Sequence, residues 1–387
     1  MRVAMNDRRL AFCVPSLSNG GAERAMAMLA SECAELGWDV DMVLLDGREA
    51  DYADELSPQV HVVDLHQQHA RTSVLALMQY LRQQHPAALF STLPHMNCAV
   101  ATAARLACVR TRLVLREADT MSEYGGTMRF LVSILYRGAD SIVAVSDDVK
   151  KDLVLKARLP ADRICVIRNP VDANHVRQLA CAELATPFPA DDAPVILGVG
   201  ALKPQKDFAT LLRAFASVRM HRQCRLVVLG RGVELPKLHQ LASDLGITDS
   251  VVFPGFVKNP YPWMAHSKVF VLSSVHEGCP NVLLQALACG CCVVATDAPG
   301  DARFLLRGET LGRLVPVGDP HEMARAIEAA LDGDQSVATE VAVQEWLRRF
   351  QPRETAIAYL RAAGLSPNPC SGPAHALAGR WRRREAK

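Results

Sequence analysis

The sequence predicts an α/β protein made of two doubly wound, Rossmann-like domains, and three observations carry that prediction. Short apolar runs of strand length alternate with amphipathic stretches of helix length along the whole chain, the pattern of parallel sheets covered on both faces. The alternation comes as two series, separated by a Pro-, Ala- and Asp-rich stretch at 186–194 that reads as a linker. At 387 residues the chain can hold two domains that each bury their own core.

In the first series, strands are expected at 10–14, 40–45, 60–65, 88–91, 112–115, 141–145 and 164–167, with helices between most of them. The stretch 22–36 after the first strand is apolar on one face and is stopped by Gly37. The second series places strands at 195–199, 225–229, 251–253, 269–272, 292–295 and 313–317. Helices near 337–348 and 354–363 finish the patterned part. These boundaries assign 1–185 to the first domain, 193–345 to the second, and 364–387 to a flexible basic tail. The tail is rich in Pro, Gly and small residues, so it reads as solvated; an electrostatic contact with anionic lipid, with Trp381 at the interface, is the alternative.

Composition excludes several classes. A formal net charge of +2 argues against wholesale nucleic-acid binding. The twelve cysteines are scattered, and several (Cys13, Cys165, Cys292) lie in apolar runs where the thiol acts as a small hydrophobe. Cys289-Gly-Cys-Cys292 straddles a helix end and a strand start and lacks a second pair, so no metal site is expected there. The first ten residues are charged and the apolar run behind them is short, so no signal peptide is expected. No run of about 18 apolar residues exists to span a bilayer. The expected location is the cytoplasm, with reduced thiols.

The most informative stretch is VFVLSSVHEGCPNVLLQALACGCCVVATD, from Val269 to Asp297. An apolar strand leads to the turn His276-Glu277-Gly278-Cys279; Pro280 then opens a helix that Gly290 closes. A helix start at the end of a buried strand presents backbone N–H groups near Asn281 and Val282, which favours an anion such as phosphate. Glu277 beside an anion site suits an uncharged polar ligand joined to that phosphate, such as a sugar.

This stretch resembles the donor-site motif of family 4 glycosyltransferases, retaining enzymes whose GT-B fold sets two doubly wound domains facing one another. The family pattern places Glu, seven residues, then Glu; here the second position is Gln285. Further similarity lies in Asn19-Gly20-Gly21-Ala22-Glu23-Arg24, VSDDVKKDL from Val145, IRNPVD from Ile167, GVGALKPQKDF from Gly198 and FPGFVKNP from Phe253, spanning roughly residues 10–363. The resemblance implies that the helices of 346–363 cross back to the first domain, which would bind the acceptor, while the second would bind the nucleotide sugar.

Glycosyl transfer needs a neutralised leaving diphosphate. With no Asp-x-Asp cluster in the second domain, a metal is not the expected counter-charge, and cationic side chains and helix N-termini take that role. Lys206 leads, because it follows the first strand of the second domain, where ligands of parallel sheets bind. Its family partner is an Arg where this chain has Ala201, with Lys203 as a substitute point charge. Gly20 and Gly21 permit close approach of a phosphate from the first domain. By resemblance, Gly230-Arg231-Gly232 and Gly255-Phe-Val257 line the nucleoside pocket, and Gly278, Asn281, Val282 and Gln285 complete the donor site. His95 is expected near the donor sugar, with a satisfied core histidine as the rival reading. Arg116 and Glu117 suit a lipid-phosphate or sugar acceptor, or equally a plain ion pair. A third departure is Phe304, at a family Glu position.

The expected function is retaining, metal-independent transfer of a hexose or N-acetylhexosamine from a UDP- or GDP-sugar to a glycan or lipid-linked glycan, at the inner face of a membrane. No other cofactor is expected. Two rivals remain: a catalytically weakened relative that binds a nucleotide sugar or a partner enzyme, suggested by Ala201, Gln285 and Phe304, and a dinucleotide oxidoreductase. The latter lacks a Gly-x-Gly-x-x-Gly opening a helix after a strand.

Overall fold

The computed structural model describes residues 6–18, 20–48, 52–121, 124–184, 193–333 and 339–369. Asn19, most of the 186–194 linker and the tail from 370 lie outside the described residues. The chain divides into two compact units. One comprises the described residues of Met1–Val145, Lys150–Arg168 and Pro352–Lys387; the other comprises those of Ser146–Val149 and Asn169–Gln351.

The first unit runs β1 (Asn6–Val14), α1 (Gly21–Glu35), β2 (Asp39–Leu44), β3 (Val60–Asp64), α2 (Val74–Gln84), β4 (Pro86–Thr92), α3 (Pro94–Ala107), β5 (Arg112–Glu117), α4 (Gly126–Leu135), β6 (Ser141–Ala144), α5 (Asp147–Leu155) and β7 (Ile164–Val166). Its seven strands pair in parallel in the order β3-β2-β1-β4-β5-β6-β7. Alternate residues of β1, β2 and β4 bury Leu10, Phe12, Val40, Met42 and Phe90 against the apolar face of α1. Phe12 stacks on Phe90 with ring centroids 4.8 Å apart.

The second unit continues with α6 (Ala173–Ala180), β8 (Val195–Val199), α7 (Phe208–Arg219), β9 (Arg225–Leu229), α8 (Leu235–Asp244), β10 (Val251–Gly255), α9 (Tyr261–His266), β11 (Val269–Leu272), α10 (Asn281–Ala288), β12 (Cys292–Thr296), α11 (Ala302–Leu305), β13 (Arg313–Val315), α12 (Pro320–Leu331) and α13 (Glu340–Leu347). Six parallel strands pair in the order β10-β9-β8-β11-β12-β13, over a core of Leu211, Phe215, Val228, Val271 and Ile327. The last helix, α14 (Pro352–Ala362), belongs to the first unit, where Ala356, Tyr359 and Leu360 pack beside α1.

The contact boundary differs from the expected domain limits at three points. Residues 146–149, which include the start of α5, fall in the second unit. Residues 169–184 belong to the second unit because α6 packs on α9 and α10, whereas the sequence places that boundary at 185. Within 346–363, the end of α13 stays with the second unit, because Trp346 is buried there, and the return begins only at Pro352.

Both sheets reverse strand order once, between β1 and β4 and between β8 and β11. In a doubly wound sheet the crevice at the carboxyl ends of such a pair is where ligands bind. The turns following these four strands carry Gly20, His95, Lys206 and Glu277.

Candidate active site

In the second unit, Lys206 ends a single 3₁₀ turn, Pro204–Lys206, just after β8. Asp207 then caps α7 at φ +42°, accepting hydrogen bonds from the Thr210 amide and hydroxyl at 3.2 and 2.6 Å. Register places the end of β11 beside this turn, so Ser273 Oγ donates to the Lys206 carbonyl (2.7 Å) and the Val275 amide to the Gln205 carbonyl (2.9 Å). Lys206 Nζ donates to Glu277 Oε1 at 2.5 Å, and Ser274 Oγ reaches the same oxygen at 2.6 Å. Glu277 is only 7 % exposed. An ion pair so far out of water is a poor stabiliser, since desolvation offsets most of the attraction. Among the described residues no hydrogen bond reaches Glu277 Oε2.

The sequence anticipates Lys206 and Glu277 as separate groups; the fold makes them a pair. Around them stand side chains that sequence reasoning missed: Ser273, Ser274, and Gln205, whose amide donates to the His276 carbonyl at 3.0 Å. Only their adjacency to the motif residues could have drawn attention to them. Lys203 is exposed on the same loop.

The helix after Glu277 begins one residue later than expected. Pro280 is the cap of α10, and Asn281 is its first residue. Asn281 and Val282 are half-buried in the first turn, Gln285 is half-buried one turn on, and Gly278 is buried. Gly290 ends the helix at φ +80°, as its sequence position predicts. The turns after β8, β9 and β10 are knit together: the Gly200 amide bonds the Leu229 carbonyl (2.9 Å) and the Gly230 amide bonds that of Gly255 (2.8 Å). A Cβ on Gly230, which has φ +142°, would lie 1.9 Å from the Gly200 carbonyl oxygen, so the backbones approach as only glycine allows. Arg231 extends from this turn over the Phe256 ring at 5.2 Å, and Val257 is half-buried next to it.

Phe304 has a clear packing role. Its ring lies 5.4 Å from Trp346, which also meets Phe350 and takes the Arg307 and Arg349 guanidiniums on its face. The Trp346 indole N–H donates to the Leu305 carbonyl at 2.9 Å. An acidic side chain at 304 would leave this aromatic cluster incomplete. The cysteines of 289–292 do not converge: Cys289 and Cys291 donate to the Tyr261 and Met264 carbonyls of α9, and burial pushes the Cys289 thiol up to about 12. Among the described residues no group of three or more His, Cys, Asp or Glu could hold a metal ion.

In the first unit, Gly20 caps α1 and Gly21 opens it. The Glu23 carboxylate folds back over Gly20, where any Cβ would overlap it at 1.8 Å. Burial raises the Glu23 pKa, offset in part by its own backbone amide and by the Arg116 guanidinium. His95 is exposed in the first turn of α3, preceded by Leu93 at φ +72°, a conformation that strains a non-glycine residue.

Arg116 and Glu117 depart from the expected acceptor-facing role. They are 1 % and 0 % exposed, because the end of β5 lies beneath the segment before α4. Arg116 donates to Thr92 Oγ1 at 2.6 Å. Glu117 accepts from the Tyr124 and Tyr136 hydroxyls at 2.5 and 2.7 Å and from the Ala118 amide at 3.1 Å. Asn97 ties the network to α3 by donating to the Tyr136 hydroxyl and the Arg116 carbonyl, both at 2.8 Å. Both residues therefore shape the floor of the strand ends and do not present charge to solvent.

The chain matches two known profiles, Glycosyltransferase Family 4 over residues 19–175 and Glycosyl transferases group 1 over 193–333. It is 30% identical over 347 residues, 85% of this chain and 91% of the relative, to the N-acetylgalactosamine-N,N'-diacetylbacillosaminyl-diphospho-undecaprenol 4-alpha-N-acetylgalactosaminyltransferase of Campylobacter jejuni. The GalNAc-alpha-(1->4)-GalNAc-alpha-(1->3)-diNAcBac-PP-undecaprenol alpha-1,4-N-acetyl-D-galactosaminyltransferase of the same organism is 24% identical, covering 84% of this chain and 89% of that one. Among solved structures, Anabaena HepE in complex with UDP-glucose superposes with a TM-score of 0.76 at 20% identity, over 92% of this chain and 99% of that one. Sucrose-phosphate synthase from Thermosynechococcus elongatus gives 0.77 at 19% identity, over 92% and 98%. Two parallel sheets with alternating helices, strand-order switches that carry the motif residues, and this likeness in sequence lead to one conclusion: the chain belongs to glycosyltransferase family 4, with the GT-B fold.

Proposed function

We propose that this glycosyltransferase moves a hexose or N-acetylhexosamine, with retention at the anomeric carbon and without a metal, from a UDP- or GDP-sugar to a glycan on a lipid carrier. The observation that carries the proposal is the Lys206–Glu277 pair beside the start of α10. The diphosphate binds at the α10 N-terminus with the Lys206 ammonium as counter-charge, and Glu277 Oε2 accepts from a donor-sugar hydroxyl. In the reaction the bond from the anomeric carbon to the diphosphate oxygen breaks. The acceptor oxygen bonds that carbon from the same face, and its proton passes to the departing diphosphate. No side-chain nucleophile is needed.

The Campylobacter relatives are named for undecaprenyl-diphosphate-linked acceptors, which supports a lipid-linked acceptor here. So does the surface of the first unit. On α4, Phe130 and Ile134 are 63 % and 49 % exposed one turn apart. Residues 94–115 and 124–138 hold five arginines, all exposed, and no Asp or Glu, a charge pattern suited to an anionic bilayer. Among the described residues no helix is long and apolar enough to cross a membrane.

The test is mass spectrometry of products from a panel of nucleotide sugars and a crude lipid-linked acceptor, with and without EDTA. A product one sugar heavier, formed in EDTA, is expected, with an α linkage from an α donor read from the anomeric coupling in its NMR spectrum. Loss on chelation with rescue by Mg²⁺ would overturn the metal-free mechanism. Absence of product with every donor, alongside intact nucleotide binding, would favour the binding-subunit alternative.

A further inference from the structure

We infer that Asn169 and Asp148 are positioning residues that hold the Glu277 turn in its working geometry. Neither segment has a role in the reading above, on which this inference rests for its catalytic part. Both precede the second series of strands, by 26 residues or more. Asn169 is 5 % exposed. Its carboxamide donates to the Cys279 carbonyl at 3.1 Å and to Asn281 Oδ1 at 2.6 Å, so one side chain grips the turn two residues after Glu277 and the first residue of α10. Asp148 acts on the other flank. Its Oδ2 accepts from the Gly300 amide at 3.0 Å, and the adjoining Pro299 carbonyl accepts from the Glu277 amide at 2.9 Å. Gly300, at φ +130°, lies so close that a Cβ would meet the Glu277 carbonyl oxygen at 2.1 Å. The Pro299–Gly300 peptide is thus pinned between Asp148 and Glu277.

The physical need is clear. Glu277 must keep its carboxylate within reach of Lys206 and Ser274, on a turn where Gly278 gives the backbone freedom. A displacement of about 1 Å in such a group can cost a hundredfold in rate. Two hydrogen-bonded clamps, one on each side of Glu277, remove that freedom before substrate arrives.

Two measurements test this. In amide hydrogen exchange, Asn169→Ala should speed exchange over 277–283 at least tenfold while the strands β9 and β11 keep wild-type rates; unchanged exchange at the turn, or a uniform rise through the unit, overturns the clamp. In transfer assays, Asn169→Ala should lower kcat roughly 10- to 100-fold. In a Glu277→Gln background the same change should cost less than threefold, because the clamp acts through Glu277; equal losses in both backgrounds overturn it. Asp148→Asn retains an acceptor for the Gly300 amide and should stay within about threefold of wild type, whereas Asp148→Ala should not. Should the wild-type protein transfer no sugar, the proposed function fails and the exchange experiment still decides the clamp.

Discussion

Lys206, Gln285 and Glu117 each give a measurable prediction. Lys206 donates to Glu277, so Lys206→Ala removes the counter-charge proposed for the leaving diphosphate and, among the described residues, leaves Glu277 Oε1 with Ser274 alone. Turnover should fall by roughly two orders of magnitude or more, the scale of losing one preorganised electrostatic stabiliser. Near-normal turnover would move the role to Lys203. Gln285 offers a neutral acceptor where the family carries a carboxylate. Gln285→Glu should tighten nucleoside-diphosphate binding by about 1 kcal/mol, roughly fivefold, as read by calorimetry. Weaker binding would mean that the Gln amide donates to the ligand. Glu117 gives a pH prediction. Burial raises its pKa above the ordinary 4.5 despite three donated hydrogen bonds. The native state therefore holds the proton more tightly than the unfolded chain, and this contribution to stability is lost as pH rises from 4.5 through the folded value. The melting temperature of Glu117→Gln minus that of wild type should grow more positive from pH 4.5 to 7.

At the scale of elements, the strands were legible because both sheets are buried on two faces and leave continuous apolar runs in the sequence. Their spatial order was not. Nothing in the residues says that β11 lies beside β8, yet that adjacency is what joins Lys206 to Glu277 across 71 positions. The same blindness explains Arg116 and Glu117: their place at a strand end was readable, but their burial depends on Tyr124 and Tyr136 closing over them. Glycines were legible as punctuation and not as contacts. Gly230 shows the difference, since its conformation and its 1.9 Å clearance to the Gly200 carbonyl both reject a side chain. Gly230→Ala should destabilise the second unit by roughly 2–4 kcal/mol and weaken nucleotide binding, because the turns after β8 and β9 must separate. A denaturant midpoint and nucleotide affinity equal to wild type would contradict this.

On the scale of the whole molecule, the chain leaves each unit before it is complete. Residues 146–149 join the second unit ahead of its own strands, and α14 completes the first unit's core after the entire second unit has been made. Tyr359 on α14 is 1 % exposed and meets the edge of Phe90 at 6.1 Å, under the same sheet face as α1. Its loss should leave a cavity costing about 3–5 kcal/mol. Trp346, 8 % exposed at the centre of the Phe304 and Phe350 cluster, anchors α13 in the other unit at similar cost when removed. Units with separate cores unfold as separate transitions unless their interface couples them. In calorimetry, Tyr359→Ala should lower one transition and Trp346→Ala the other, although the two residues stand only thirteen positions apart in sequence. If either substitution lowers both transitions equally, the units fold as one cooperative body and the division at Gln351 has no thermodynamic meaning. If Tyr359→Ala leaves the first transition in place, α14 rests on that unit without contributing to its core, and the burial of Ala356 and Leu360 beside it would need another cause.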